Sequence, residues 1–235
     1  MSVWALRRFW TTATTIPVAG GFAVQLDGKP VRTPQKAHLV LPTEDLAREV
    51  AAEWQAVDGK VDPGGMPFTR MANSAIDKVT PQFDAVVEML AEYGGSDLLC
   101  YRAERPAGLI DLQAQSWDPL LAWAAETLAA PLQPTTGVMH HAQPPESLAA
   151  LRQAVRALTP FQLTAFHDLV ALSGSLVLAL AVTRGRMSAD EAWTLSRIDE
   201  SWQIQEWGED EEAAELTARK HADFLLADRF FGLCG

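Results

Sequence analysis

The segment Ser196–Ala213, SRIDESWQIQEWGEDEEA, holds the densest group of residues that could do chemistry. Seven carboxylates lie between Asp199 and Glu212 without a Lys or Arg among them, and two Trp and an Ile stand between the acids. Paired carboxylates can act as general acid and base in an enzyme. The same pattern is also typical of a surface that recognises a basic partner, because complementary charge gives specificity and fast association.

Helical geometry divides residues 193–207 into two apolar stripes with an acidic edge between them. The first stripe consists of Leu195, Ile198 and Trp202, and the second of Trp193, Ile204 and Trp207. The flank between the stripes carries Asp199, Gln203 and Glu206. Glu200 projects between the members of the second stripe, where a carboxylate must be paired, hydrogen-bonded or protonated, since burying it alone is costly.

Three interpretations of Glu200 stay open at this point. In a structural role, an Arg or a backbone N–H inside the fold satisfies the carboxylate. In a recognition role, the acidic edge meets a basic partner surface. In a catalytic role, Glu200 or Asp199 is the acid or base of a small-molecule enzyme with its pocket at the junction of two domains, although no nucleophile or second motif accompanies them. The run 209–212 is most simply a favourable helix N-terminus.

The sequence gives little support for nucleotide binding, metal binding or nucleophilic catalysis. Nucleotide-binding glycine loops, the zinc motif HExxH and the nucleophile elbow GxSxG are absent. His140 and His141 are adjacent in a loop and therefore point apart, so no metal site and no cofactor are expected. Cys100 and Cys234 form no CxxC pattern, which fits a reducing compartment. Catalysis is therefore not expected.

Charge and hydropathy restrict the partners. The net charge of −11 argues against nucleic acid, although the first 41 residues hold five of the 19 basic residues and one of the 30 acidic residues. The basic N-terminal segment is therefore a rival to the acidic segment as a binding surface. The most apolar stretch, Leu169–Val182, is too short to span a membrane and predicts a buried core helix. We expect a cytoplasmic protein, or one of an organelle matrix.

The elements that must position the acidic segment are predicted to be strands first and helices later. Residues 9–18, 21–34 and 37–42 are rich in β-branched or alternating apolar residues, and Asp27-Gly28 fits a hairpin turn. Thr43 is the predicted N-cap of the next helix. The expected fold class is α+β, with a small β-rich N-terminal domain that has one helix (1–79) and a larger all-helical C-terminal domain (80–235).

Helix starts are predicted wherever Pro follows a capping residue. This places starts at Thr80-Pro81, Asp118-Pro119 and Thr159-Pro160. The capping box Ser188–Glu191 is expected to begin the helix that carries the acidic segment, and Gly208 to end it.

Seven landmarks, in this order, resemble a known family. They are RFW with VQLDGKPVRTP, LVLPTEDLAREVAAEW, MPFTRMANSAIDKV, YGGSDLLCYRAE, QSWDPLLAW, GSLVLALAV and IDESWQIQEWGEDEEA. Together they resemble the assembly chaperones of the F-type ATP synthase α subunit from mitochondria and α-proteobacteria. The resemblance implies a β-rich N-terminal domain, a helical C-terminal domain and no enzymatic activity.

The resemblance also implies a partner and a site. Proteins of that family bind the unassembled α subunit and shield it until the β subunit takes its place. They depend on an acidic residue of the helical domain, which by motif position corresponds to Glu200, with Glu206 as second choice. Trp202 and Trp207 would then be anchors, and Asp199 and Gln203 would line the same surface. A general holdase that protects unrelated proteins is a further alternative.

Overall fold

The computed structural model describes residues 7–137, 139–208 and 210–235. These residues form two compact units. The first unit contains the described residues up to Phe83 together with Pro160–Ala165 and Arg229–Gly235, and the second contains Asp84–Thr159 and Phe166–Asp228. The α+β fold class is confirmed, whereas a division into folding domains at residues 79 and 80 stays a prediction.

The first unit is built on a small antiparallel sheet. Its strands are β1 (Ala13–Val18), β2 (Gly21–Leu26), β3 (Lys29–Pro30) and β4 (Val40–Leu41). β2 pairs with β1, β3 and β4, so it is the central strand. Asp27 and Gly28 both have positive φ, as the tight hairpin between β2 and β3 requires. Val24 and Leu26 are buried as predicted, but Ala23 on the opposite face is buried as well, so the alternation is only partly present.

Helix α1 (Glu44–Ala56) covers this sheet and begins where the sequence predicts. The Thr43 hydroxyl accepts a hydrogen bond from Leu46 N, which confirms the predicted N-cap. A carboxylate from α1 caps the next helix: Glu53 accepts hydrogen bonds from the backbone N–H groups of Phe68 and Thr69, both at 2.7 Å. It thereby takes the place of an N-cap side chain on that helix.

The predicted helix start at Thr80-Pro81 is wrong, because the chain is already helical there. A short 3₁₀ turn (Pro63–Gly65) leads into α2 (Pro67–Ser74), a π turn (Ala75–Val79), a second 3₁₀ turn (Thr80–Gln82) and α3 (Phe83–Ala91). Thr80 has helical dihedrals, and its hydroxyl donates to Ala75 O. Pro81 lacks the N–H that would bond Asp77 O, and Gln35 Nε2 donates to that oxygen instead, at 3.4 Å.

The end of the chain completes the first unit. Phe230 is fully buried between Phe68 and Phe161, with ring centroids 6.1 Å and 6.5 Å away. Arg229 forms an ion pair with Glu49. The carbonyl of Leu233 accepts a hydrogen bond from the Thr43 hydroxyl, and Gly235 O accepts one from Gln162 Nε2. The last seven residues therefore belong to the core of the unit that begins the chain.

The second unit consists of helices and one short parallel strand pair. Two 3₁₀ turns (Glu92–Ser96 and Leu98–Cys100) precede β5 (Tyr101–Arg102), which pairs with β6 (Thr135–Thr136). Its helices are α3 from Asp84 onward, α4 (Ala107–Leu128), α5 (Pro145–Arg156), the later part of α6 (Pro160–Ser173), α7 (Leu176–Thr183), α8 (Ala189–Ser196), α9 (Ile198–Trp207) and most of α10 (Glu211–Gly232). None of the helices in the described residues is long and apolar enough to cross a membrane.

The start predicted at Asp118-Pro119 is also wrong, since Pro119 lies inside the 22-residue helix α4. The missing proline N–H costs one helical hydrogen bond. Trp117 and Leu120 on either side are buried, and Asp118 forms an ion pair with Arg102 at 2.7 Å. Packing on both sides of the proline outweighs the local preference to begin a new helix there. The start at Thr159-Pro160 is confirmed.

The apolar stretch 169–182 is buried as predicted but forms two helices instead of one. Gly174 has a φ of +72° and separates α6 from α7. The Ser173 hydroxyl donates to Leu169 O at 2.6 Å, one helical turn earlier, so this buried polar group is satisfied within the helix. Ser175 caps α7, and the fully buried Asp97 accepts hydrogen bonds from the Ser175 hydroxyl and Val177 N at 2.7 Å and 3.0 Å. Burial raises the pKa of Asp97, and these hydrogen bonds lower it in part.

Candidate functional site

The acidic segment lies on its own helix and not on the helix begun by the capping box. The Ser188–Glu191 capping box is present and begins α8. Arg197, with φ −111° and ψ 17°, then breaks the helix before α9 begins at Ile198. Gly208, with a φ of +89°, ends α9 as predicted. The break changes the helical phase, so stripes drawn through residues 193–207 do not continue across it.

The first predicted stripe packs inside the second unit. Ile198 is buried. Trp202 is half-buried and lies against Gly108 of α4, where an added Cβ would be 2.8 Å from Trp202 Cη2. The prediction of a packed stripe is therefore confirmed for these residues. Glycine at 108 allows the indole to approach the α4 backbone closely.

The second predicted stripe is divided by the helix break, and its prediction as a packed stripe is wrong for α9. Trp193 of α8 is buried under the stacked ring of His221 and beside Phe224. Ile204 and Trp207 of α9 are instead 44% and 80% exposed. An indole this exposed contributes little to packing, so Trp207 is free to contact another molecule.

Ile204 and Trp207 lie in a groove of about 360 Å³ between α9 and the start of α10. We call this groove, lined by Glu200, Gln203, Ile204, Trp207, Gly208, Asp210, Ala213, Ala214 and Thr217, the acidic groove. One wall is the exposed face of α9 and the other consists of small α10 side chains, which leave room for an occupant. No Lys or Arg occurs among these lining residues.

Asp210 has a second role in the acidic groove. One of its carboxylate oxygens accepts hydrogen bonds from Glu212 N at 2.9 Å and Ala213 N at 3.2 Å. It therefore caps α10, and Glu211 and Glu212 follow in the first turn, as expected for acids at the positive end of a helix. Glu209, which belongs to the same predicted run, lies outside the described residues.

Glu200 is exposed and is not buried between apolar residues as predicted. Its Oε1 forms an ion pair with Arg197 Nη2 at 3.2 Å, three residues earlier, and 51% of its side chain is accessible. A surface pair of this kind contributes little to stability. Arg197 also lies over the ring of Trp193. The pairing with an arginine is therefore present, but on the surface, where Glu200 stays accessible to a partner.

Asp199 lies where α9 meets α4. Its Oδ1 accepts a hydrogen bond of 2.6 Å from Nε2 of Gln113, which is buried. It lines a separate cavity of about 380 Å³ with Tyr101, Arg102, Ala103, Glu104 and Gly137. Gln203 thus lines the acidic groove with Glu200, whereas Asp199 lines the other cavity, and the three residues of the predicted flank all lie in the one helix α9. Glu206 is exposed and lines neither hollow.

Sequence patterns gave no indication of Gln113 or Gly108. Both lie in α4, far from the acidic segment along the chain, and neither belongs to a motif. A glycine inside a helix is the one signal available, because it lowers helix stability and often marks a close packing contact. The hydrogen bond from Trp117 Nε1 to Leu195 O adds a third contact between α4 and this region.

The remaining reactive residues take structural positions. His140 Nδ1 lies 3.2 Å from the Tyr101 hydroxyl, and His141 Nε2 lies 3.1 Å from Gln133 Oε1. Groups of three or more potential metal ligands do not occur among the described residues. Cys100 and Cys234 are both buried and unpaired.

Comparison with known proteins identifies the family. Residues 7–125, half of the chain, match the model of the family described as ATP12 chaperone protein. The crystal structure of Atp12 from Paracoccus denitrificans is 54% identical, with 97% of this chain and 98% of that chain covered and a TM-score of 0.94. An aspartate-to-lysine mutant of P. denitrificans Atp12p matches with a TM-score of 0.95, 53% identity and the same coverage.

A more distant relative covers the same length. The mitochondrial protein atp12 of Schizosaccharomyces pombe is 26% identical over 244 residues, which cover 98% of this chain and 83% of that protein. These matches confirm the resemblance inferred from the seven landmarks. The chain therefore belongs to the ATP12 chaperone protein family.

Proposed function

We propose that this protein is an assembly chaperone that binds the unassembled α subunit of F-type ATP synthase and shields its exposed interface. Membership of the ATP12 chaperone family and the α-subunit specificity implied by the landmark residues support the proposal. The observation that carries it is the 80% exposed Trp207 in a groove whose charged lining residues are all acidic. No enzymatic activity and no cofactor are part of the proposal.

The acidic groove has the composition expected of a site for one particular client. Aromatic anchors with surrounding polar groups dominate the energetics of protein interfaces. Trp207 and Ile204 supply apolar area, while Glu200 and Asp210 supply negative charge that selects Lys or Arg on the client and speeds association. Asp199, Gln203 and Glu206 extend the acidic surface along α9. Trp202 contributes indirectly, because its packing against Gly108 holds α9 on α4.

The distribution of exposed apolar side chains also favours the second unit as the unit that binds the client. Of the eight large apolar side chains that are exposed among the described residues, seven lie in the second unit and only Phe9 lies in the first. An orphan subunit exposes the apolar surface that its partner normally covers, and such a surface aggregates unless it is covered. A chaperone for that surface needs its own apolar contacts in the unit that binds.

Suppression of α-subunit aggregation tests the proposal. We expect Glu200→Lys to fold normally, as measured by circular dichroism, and to lose protection of the α subunit, because the new cation repels the cations of the client. The matched control is Glu126→Lys, which reverses an exposed glutamate of α4 outside the acidic groove. A Glu200→Lys protein that unfolds would indicate a structural role, and one that folds and still protects would refute the site.

Truncation of the proposed anchor tests the apolar part of the site. We expect Trp207→Ala to weaken binding of the α subunit by about 2 kcal/mol, the cost of losing an interface hot spot. Because Trp207 is exposed, its loss should change the free energy of unfolding by less than about 0.5 kcal/mol. Phe9→Ala is the control, since it removes an exposed aromatic ring from the first unit. Equal loss of binding in both variants would refute the anchor.

Three further experiments distinguish the proposed function from its alternatives. A general holdase would protect unrelated aggregating proteins as well as the α subunit, whereas we expect protection of the α subunit only. A small-molecule enzyme using Glu200 or Asp199 would be stabilised by its ligand in a thermal-shift metabolite screen. If the basic strands of the first unit bind the client, the double variant Arg32→Glu and Lys36→Glu would lose protection while Glu200→Lys keeps it.

The proposed function also sets the location. The protein would act where the catalytic head of ATP synthase is assembled, which is the cytoplasm of a bacterium or the mitochondrial matrix of a eukaryote. Nucleic acid is not a proposed partner, because the acidic groove would repel phosphate. Insertion into the membrane is not proposed either.

A further inference from the structure

We propose that Gln113 is a positioning residue for client recognition: it holds the Asp199 carboxylate in one orientation, so that Asp199 meets a Lys or Arg side chain of the client. This inference rests on the proposed function. It adds a second point of cation recognition, in a cavity separate from the acidic groove. It also assigns a role to a buried glutamine that belongs to no motif.

Gln113 is 1% exposed, and both the oxygen and the nitrogen of its side-chain amide form hydrogen bonds. Its Oε1 accepts a hydrogen bond from Ala103 N at 2.8 Å, and its Nε2 donates to Asp199 Oδ1 at 2.6 Å. The bond from Ala103 N fixes which end of the amide is oxygen, because a backbone N–H can only donate. The Nε2 group must therefore face Asp199, where it can only donate to the carboxylate.

This arrangement leaves Asp199 ordered but not neutralised. The donor is an uncharged amide, so the carboxylate keeps its negative charge. Its second oxygen, Oδ2, has no hydrogen-bond partner among the described residues and belongs to a side chain that lines the 380 Å³ cavity. Since a fixed carboxylate loses less rotational freedom on binding than a mobile one, Gln113 raises the affinity for a cation.

The cavity beside Asp199 fits a cationic side chain. Arg102, the one cation among the described residues that line it, is paired with Asp118 and donates to Leu99 O, so its charge is already balanced. Glu104 has no ion-pair partner among the described residues, which leaves the lining with an excess of negative charge. A cation of the client would be favoured there, and an anion would be repelled.

A double-mutant cycle tests the inference with the full-length protein and purified α subunit. We expect Asp199→Ala to weaken binding about tenfold and Gln113→Met about fivefold, while the double variant binds no more weakly than Asp199→Ala alone. Gln113→Met keeps the length of the side chain and removes both hydrogen bonds. The matched control is Gln115→Met, which makes the same change at an exposed position of α4 and should leave affinity unchanged.

A second pair of variants separates positioning from folding. Gln113→Glu keeps the acceptor for Ala103 N but cannot donate to an ionised Asp199, so we expect it to weaken binding like Gln113→Met even if Gln113→Met folds poorly. Asp199→Asn keeps an acceptor for Gln113 and removes the charge. It should therefore lower both the affinity and the dependence of affinity on salt.

The outcomes distinguish this inference from the proposed function. If the unmutated protein does not bind the α subunit, the proposed function fails. If the unmutated protein binds and Asp199→Ala binds equally well, only the inference is overturned. The inference is also overturned if Gln113→Met weakens binding as much in the Asp199→Ala background as in the unmutated protein, since Gln113 would then act without Asp199.

Discussion

Replacement of Phe230 by alanine should destabilise the first unit. Phe230 is fully buried between two further aromatic rings, and Phe→Ala in a core costs about 3–5 kcal/mol, because apolar burial is lost and a cavity is left. A domain of about 100 residues has a total stability of about 5–15 kcal/mol, so this loss is a large fraction. With a denaturant dependence of about 2 kcal/mol per molar urea, the unfolding midpoint of the first unit should fall by about 2 M.

Urea titration followed by hydrogen exchange and mass spectrometry reads the two units separately. The expected result for Phe230→Ala is early loss of protection in peptides of β2 and α1, which belong to the first unit. The matched control is Phe231→Ala, the next residue of the same helix, which is only half-buried and should cost about 1 kcal/mol. Equal midpoints for the two variants would refute the role assigned to Phe230.

Three further predictions concern packing and protonation. Gly108→Ala should cost about 1–3 kcal/mol, because the new methyl group displaces Trp202, and it should lower the melting temperature. Burial raises the pKa of Cys100 and of Cys234 to about 12. Iodoacetamide should therefore label both thiols slowly in the native protein and quickly in urea. Burial also raises the pKa of Glu53 above its ordinary value of 4.5. The native state thus binds the Glu53 proton more tightly than the unfolded chain does. The free energy of unfolding therefore falls as pH rises from the pKa of the unfolded chain to that of the native state. Glu53→Gln should reduce this dependence of stability on pH.

Each of these predictions has a control. Gly95→Ala adds the same methyl group at a position where no atom lies within 4 Å, and it should be tolerated. Prompt labelling of the native thiols would contradict their burial. For the pH prediction, Glu44→Gln at an exposed position of the same helix serves as the control, and an unchanged slope in Glu53→Gln would count against the shift.

Local signals in the sequence predicted most boundaries where a turn or cap determines the backbone. The Asp27-Gly28 hairpin, the Thr43 cap and the Ser188–Glu191 capping box are all present. In each case the residues that form the contact are within three positions of each other. Such contacts depend on local geometry alone, so a sequence pattern is sufficient to find them.

Features that depend on distant residues were not predictable in this way. Pro81 and Pro119 resemble helix starts, but contacts from other elements keep the chain helical around them. The break at Arg197 has no glycine or proline to announce it. Because that break separates Trp193 from Trp207, the sequence could group the residues of the acidic segment but could not predict which of them face solvent.

The contribution of the last seven residues to the first unit sets an order of events during synthesis. The ribosome makes β1–β4, α1 and α2 before residues 229–235, so Phe68 has no access to Phe230 until that later segment has been translated. Domains generally fold as they emerge, in the order in which they are made. Here the first unit is completed only after the second unit has been made, so a nascent chain that ends before Phe230 presents an open aromatic core.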